Sequence, residues 1–137
     1  MKDSKTLKAI LLISGLIAAG FGAAIAFTPV EFSATSGIDL AGKPSLLSET
    51  RSAGGALLAA GALIVSGAFV RRLAFTATVV AGLMYLAYGA SRILSMVADG
   101  MPHAILVQAT VLELGVGLIA LFALAKYRDP EGAAAAR

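Results

Sequence analysis

The sequence predicts an all-α protein, an antiparallel four-helix bundle integral to a membrane, with a long outward-facing loop between its first and second helices. Three observations carry this. The 137 residues are 58% hydrophobic and 14% charged, against about 25% charged in an ordinary soluble domain. Four apolar runs reach the roughly 20 residues that a helix rising 1.5 Å per residue needs to cross a hydrocarbon core of about 30 Å. The basic residues lie at the ends of those runs and mostly on one side. No polar linker divides the chain, so one transmembrane domain over 1–137 is expected.

The first helix is expected over about 7–27. Lysines precede it and "AAIA" resembles a cleavage site, but a signal-peptide core is about 7 to 15 residues and this run is of spanning length, which predicts that it is retained. The loop that follows, "TPVEFSATSGIDLAGKPSLLSETR", contains Phe32, Ile38, Leu40, Leu46 and Leu47 and is expected to fold back onto the bundle. Pro44 followed by Ser45 suits a helix start, with Ser45 or Ser48 as N-cap, so the second helix is expected over 45–70. Arg71 and Arg72 separate it from a third helix over 73–97, making a tight hairpin, and Asp99-Gly100 is the next stop. The fourth helix is expected over 104–125, and 126–137, ending "EGAAAAR", as a flexible tail.

Eight of the eleven Lys and Arg residues lie near one side: Lys2, Lys5, Lys8, Arg71, Arg72, Lys126, Arg128 and Arg137. The positive-inside rule then places both termini and the 71–72 turn in the cytoplasm, with 28–48 and "ADGMPH" outside, as in a multi-pass protein of the bacterial inner membrane. Gly15, Gly20, Gly22, Gly54, Gly55, Gly61, Gly67, Gly115 and Gly117 are expected to let helices approach closely.

The remaining charges define the candidate site. On the third helix Thr78, Ala81, Tyr85, Tyr88, Arg92, Ser95 and Asp99 recur at steps of three and four, which is one helical face. On the fourth, His103, Leu106, Thr110, Glu113, Gly117 and Ala120 do the same, so the two stripes are expected to face each other. Arg92 lies about 10 Å from the Asp99 end and Glu113 about 15 Å from His103, at a rise of 1.5 Å per residue. Side chains lean toward their own helix N-terminus, so on antiparallel helices these two lean together. An isolated charge at that depth costs several kcal/mol, about as much as demands a partner, and Glu113 is the one in register with Arg92. Glu49 and Arg51, at the outer end of the second helix, extend this to a candidate four-charge network; a neutral, protonated Glu113 is the alternative.

Glu49, Arg51, Tyr85, Tyr88, Arg92, Asp99 and Glu113 are therefore the candidate binding residues. His103, the only histidine, reads as a solvated cap after Pro102, and with no cysteine in the chain neither a metal nor another cofactor is expected. Nucleotide-binding glycine patterns, a Ser-His-Asp elbow and a basic aromatic face for nucleic acid are all missing from the sequence. The expected partners are the lipid bilayer, a small-molecule or lipid ligand, and a second copy or another membrane protein. Three functions follow: binding or conducting a small polar or amphipathic molecule or lipid at a charged pocket open to the extracytoplasmic side, with Arg92 and Glu113 at its base; enzymatic action on a lipid-like substrate with Glu113 as acid or base; or a structural role in a membrane complex in which the ion pair only fixes helix register.

"LLSETRSAGGALLAAG" (46–61), "AYGASRILSMVADGMP" (87–102) and Glu113 together resemble the bacterial membrane-protein family catalogued as domain of unknown function 4345, over about 7–125. The resemblance implies a small four-helix membrane protein and brings no activity with it.

Overall fold

The structure, a computed structural model, describes residues 1–129. It contains four long helices, α1 (Lys5–Phe27), α3 (Pro44–Phe69), α4 (Arg71–Asp99) and α5 (Ala104–Tyr127), and a short helix, α2 (Pro29–Ala34). All four long helices are long and apolar enough to cross a membrane. They run antiparallel in sequence, so one end of the bundle holds the start of α1, the α3–α4 turn and the end of α5, and the other holds α2, its loop and the α4–α5 turn.

Each boundary has a local cause. The α3–α4 break is the single extended residue Val70, and Arg71 and Arg72 form the first turn of α4 instead of the turn before it. Helix α3 starts at Pro44, whose fixed φ and missing N–H suit the first helical position. Its N-cap is Lys43, with no side-chain cap bond, so neither Ser45 nor Ser48 caps it as the sequence suggests. Helix α4 stops at Gly100, whose φ of +98° few other residues adopt. Helix α5 starts at His103, whose Nδ1 accepts the Ile105 N–H at 3.3 Å. Its last residues, Lys126 and Tyr127, fall in the stretch expected as tail; residues 130–137 of that expectation lie outside the described residues.

Helices α1 and α3 make the closest pair. Gly15 and Gly22 on α1, and Gly54 and Gly61 on α3, are each seven residues apart and so share a face after two turns. A Cβ on Gly15 would lie 2.7 Å from the Val65 nitrogen, and one on Gly54 2.6 Å from the Ala26 nitrogen, so the two helices touch backbone to backbone. In lipid, where burial of apolar surface does not drive helices together, such packing holds the pair. Helices α4 and α5 pair differently: Leu86 lies against Gly117 and Leu114 against Gly89, each leucine filling the space left by a glycine. Gly20, Gly55 and Gly115 have open space where a side chain would be and take no part in this packing.

Helix α4 packs on both α3 and α5, whereas α1 touches α5 only sparsely. The buried cluster of Leu7, Leu11, Ile64, Ala68, Ala77, Ala81, Ala120 and Ala123 draws on the early turns of α1 and α4 and the late turns of α3 and α5. The core thus occupies the half of the bundle nearer the termini.

Candidate functional site

The other half is hollow. A cavity of about 330 Å³ lies between α1, α4 and α5, with α2 over its end. Its walls are largely apolar, including Ile17, Phe21, Phe32, Leu57, Ile105 and Leu112. The loop after α1 provides the cover. Pro29 opens α2 at its first turn, Ser33 is buried beneath it, and the Phe32 ring meets Phe21 edge-on with centroids 5.8 Å apart. Gly37, at a φ of +76°, ends this cover, and a Cβ added there would lie 3.9 Å from the His103 ring. Beyond it, Asp39 accepts the Ala41 N–H at 3.0 Å and Lys43 returns to the Asp39 carbonyl at 2.7 Å.

Arg92 and Glu113 form the charged part of the cavity wall. Arg92 Nε donates to Glu113 Oε2 at 2.9 Å and its Nη2 to Oε1 at 3.2 Å, a two-point pair of the kind that planar guanidinium and carboxylate groups favour. The Glu113 side chain is 12% exposed and that of Arg92 31%. Of the two, the arginine side chain is therefore the more exposed.

Tyr85, 4% exposed, turns toward α1 rather than α5 and donates its hydroxyl to the Ser14 carbonyl at 2.5 Å. It forms the cavity floor, at the level where the packed half ends. Tyr88 is one turn further along on the same wall, and its hydroxyl has no hydrogen-bond partner among the described residues. The two polar stripes consequently do not face each other squarely. The α4–α5 contact runs through Leu86, Gly89, Leu114 and Gly117, and the stripe through Tyr85, Tyr88 and Arg92 lies beside it, aimed at the cavity.

The four-charge network does not form. Arg51 Nη1 donates to the Ala26 carbonyl at 2.5 Å, satisfying one of the last carbonyls of α1, because the glycine contacts set α3 against α1 in that register. Glu49 is exposed and, among the described residues, joins no salt bridge. Asp99 lies two turns beyond Arg92 and accepts the Ser95 hydroxyl at 3.0 Å. None of Glu49, Arg51 and Asp99 lines the cavity. The sequence reading missed the apolar walls and Gln108, the remaining polar side chain of α5 on the cavity. The steps from Ile105 through Gln108 to Leu112 were a visible signal for that face.

Among the described residues no group of three His, Asp or Glu gathers to hold a metal. The family described as Domain of unknown function (DUF4345) matches residues 6–124. The chain belongs to this family. The match takes in all four long helices, the α2 cover, and both partners of the Arg92–Glu113 pair, so the cavity lies wholly within the DUF4345 domain. No curated protein and no solved structure matches the chain.

Proposed function

We propose that this small membrane protein binds an amphipathic molecule or lipid in the cavity beside Arg92 and Glu113. One observation carries the reading: a largely apolar space of about 330 Å³ is walled by a two-point ion pair whose guanidinium keeps unused donors. Small-molecule sites commonly combine apolar walls with a few placed polar groups and begin at about 300 Å³. Ionisable groups within membrane spans are candidates for function by default. The basic bias of 71–72 and the terminal segments supports an orientation with both termini cytoplasmic and the cavity toward the extracytoplasmic side of the bacterial inner membrane.

The enzymatic reading, with Glu113 as acid or base, has less support because both carboxylate oxygens are engaged by Arg92. A purely structural role remains the rival, and a volume-matched apolar pair separates the two. An apolar replacement of a buried ion pair often keeps or raises stability. Arg92→Met with Glu113→Leu should leave a folded protein from which a co-purifying lipid or metabolite, seen by mass spectrometry at matched yield, disappears. Unchanged co-purified content would leave the pair as a structural device.

A further inference from the structure

Resting on that binding site, we infer the class of its occupant: an uncharged amphiphile that enters sideways from the bilayer between α1 and α5 and gives a hydroxyl or carbonyl oxygen to Arg92.

The charge of the site points to a neutral head. Among the described residues Arg92 and Glu113 are the only charged ones on the cavity wall, and they are opposite in sign. Each already neutralises the other through two hydrogen bonds. An anion added beside them would be desolvated with no net positive charge to offset the loss, and a cation would meet the same balance reversed. A dipolar head that accepts hydrogen bonds meets no such penalty.

The donor inventory points to an acceptor. A guanidinium carries five N–H groups, and Glu113 takes one from Nε and one from Nη2. Among the described residues no group accepts from Nη1, and the Tyr88 hydroxyl is likewise without a partner on the same wall. The other hydroxyls at the cavity end are already donating inward, Thr35 to the Phe32 carbonyl at 2.6 Å and Ser36 to the Ser33 carbonyl at 3.0 Å. Gln108, also on the wall, offers both an amide donor and an acceptor, so the excess of free donors is set by the guanidinium of Arg92.

The route follows from where the walls part. Helix α2 and the Phe32–Phe21 contact cover the end of the cavity. Its side lies between α1 and α5, which touch only sparsely, and the residues there are half-exposed: Phe21 at 47%, Ile105 at 42% and Leu112 at 41%. All three are apolar; Leu112 lies eight residues inside the start of α5 and Phe21 six inside the end of α1, about 12 and 9 Å at 1.5 Å per residue, while Ile105 sits in the first turn of α5. At the roughly 30 Å³ a water occupies in the liquid, the cavity takes on the order of ten heavy atoms, the size of a short alkyl chain with a small head.

The full chain in phosphatidylcholine nanodiscs, exposed to three photoreactive diazirine probes of equal chain length, tests this: decyl alcohol, decyl sulfate and decane. Labelled peptides containing Phe21, Ile105 or Leu112 should appear with the alcohol about tenfold more than with either other probe, as one charge-assisted hydrogen bond of about 1.4 kcal/mol implies. Ala109→Phe, which puts a ring on the cavity wall of α5 while keeping both residues of the ion pair, should abolish that labelling. If the variant does not fold, competition by excess unlabelled decyl alcohol replaces it. Labelling by the sulfate equal to or above the alcohol overturns the neutral-head inference and leaves the binding site standing. Equal labelling by decane overturns the role of Arg92. Labelling that neither Ala109→Phe nor competitor reduces overturns the binding site itself.

Discussion

The Tyr85 hydroxyl donates to the Ser14 carbonyl at 2.5 Å, joining α4 to α1 at the boundary between the packed and hollow halves of the bundle. Removing the hydroxyl alone, Tyr85→Phe, should cost about 1 kcal/mol, the net worth of a single hydrogen bond. Tyr85→Ala should cost about 3 to 5 kcal/mol, as loss of a large buried ring does, because it opens the cavity into the core. Unfolding titration in mixed micelles measures both, and equal losses would show that the bond and not the ring sets the floor.

A methyl group on Gly61 would run into the Ala19 nitrogen and lie 2.8 Å from the Gly15 carbonyl oxygen. Gly61→Ala should therefore force α1 off α3 and destabilise by about 1 to 3 kcal/mol, the usual cost of overpacking. Gly20→Ala, where nothing lies within 4 Å, should be neutral or stabilising by up to about 1 kcal/mol through helix propensity. The same titration compares them, and a harmless Gly61→Ala would contradict the backbone contact.

Breaking the Arg92–Glu113 pair from one side should be worse than removing it. Glu113→Gln leaves the guanidinium without its charge partner and should cost about 3 kcal/mol or more. Adding Arg92→Leu to it should recover part of that loss. A double-variant cycle that comes out additive would show that the two side chains do not interact.

In the loop, Asp39 is held below the ordinary carboxylate value of 3.8, first by the Ala41 N–H and then by the charge of Lys43. A lowered folded-state pKa stabilises the loop closure above the unfolded value and loses that contribution as pH falls through the lowered one. The Asp39 carboxyl, followed by NMR, should titrate with a midpoint under 3.8. Lys43→Ala should raise the midpoint only part of the way, because the Ala41 donor remains. A full return to 3.8 would make Lys43 the main cause and reverse that order.

Orientation is open to direct measurement. Reporters inserted between Arg71 and Arg72 and fused after Arg137 should both score cytoplasmic, as the basic bias at that side requires. An external signal from either reverses the placement of the cavity.

The long helices were legible because crossing a membrane imposes length and composition on each segment independently of its neighbours. The approach of Arg92 to Glu113 was legible too, since depth and side-chain lean follow from rise and direction alone. Helix α2 was not, because six residues carry too little periodicity to separate them from loop. Arg51 bonds α1 and not the expected charge network for a different reason. Its place is fixed by the register of α3 on α1, which depends on four glycines with no polar pattern to read. A pocket beside Arg92, Glu113, Tyr85 and Tyr88 is expected from the sequence, but its apolar extent is not: that arises where α1 and α5 fail to meet, and no single segment encodes a gap.

Because the tight glycine contacts of α1 with α3 and the alanine-rich core lie away from most of the cavity wall, the residues that hold the bundle and those that shape the cavity are largely different. Ile17, Ile105, Gln108 and Leu112 line the cavity and are not among the residues that meet the packing glycines. A chain built this way is a chassis: ordinary substitution at those positions can reshape the cavity while the bundle still assembles, so members of one family can diverge in its lining without diverging in fold.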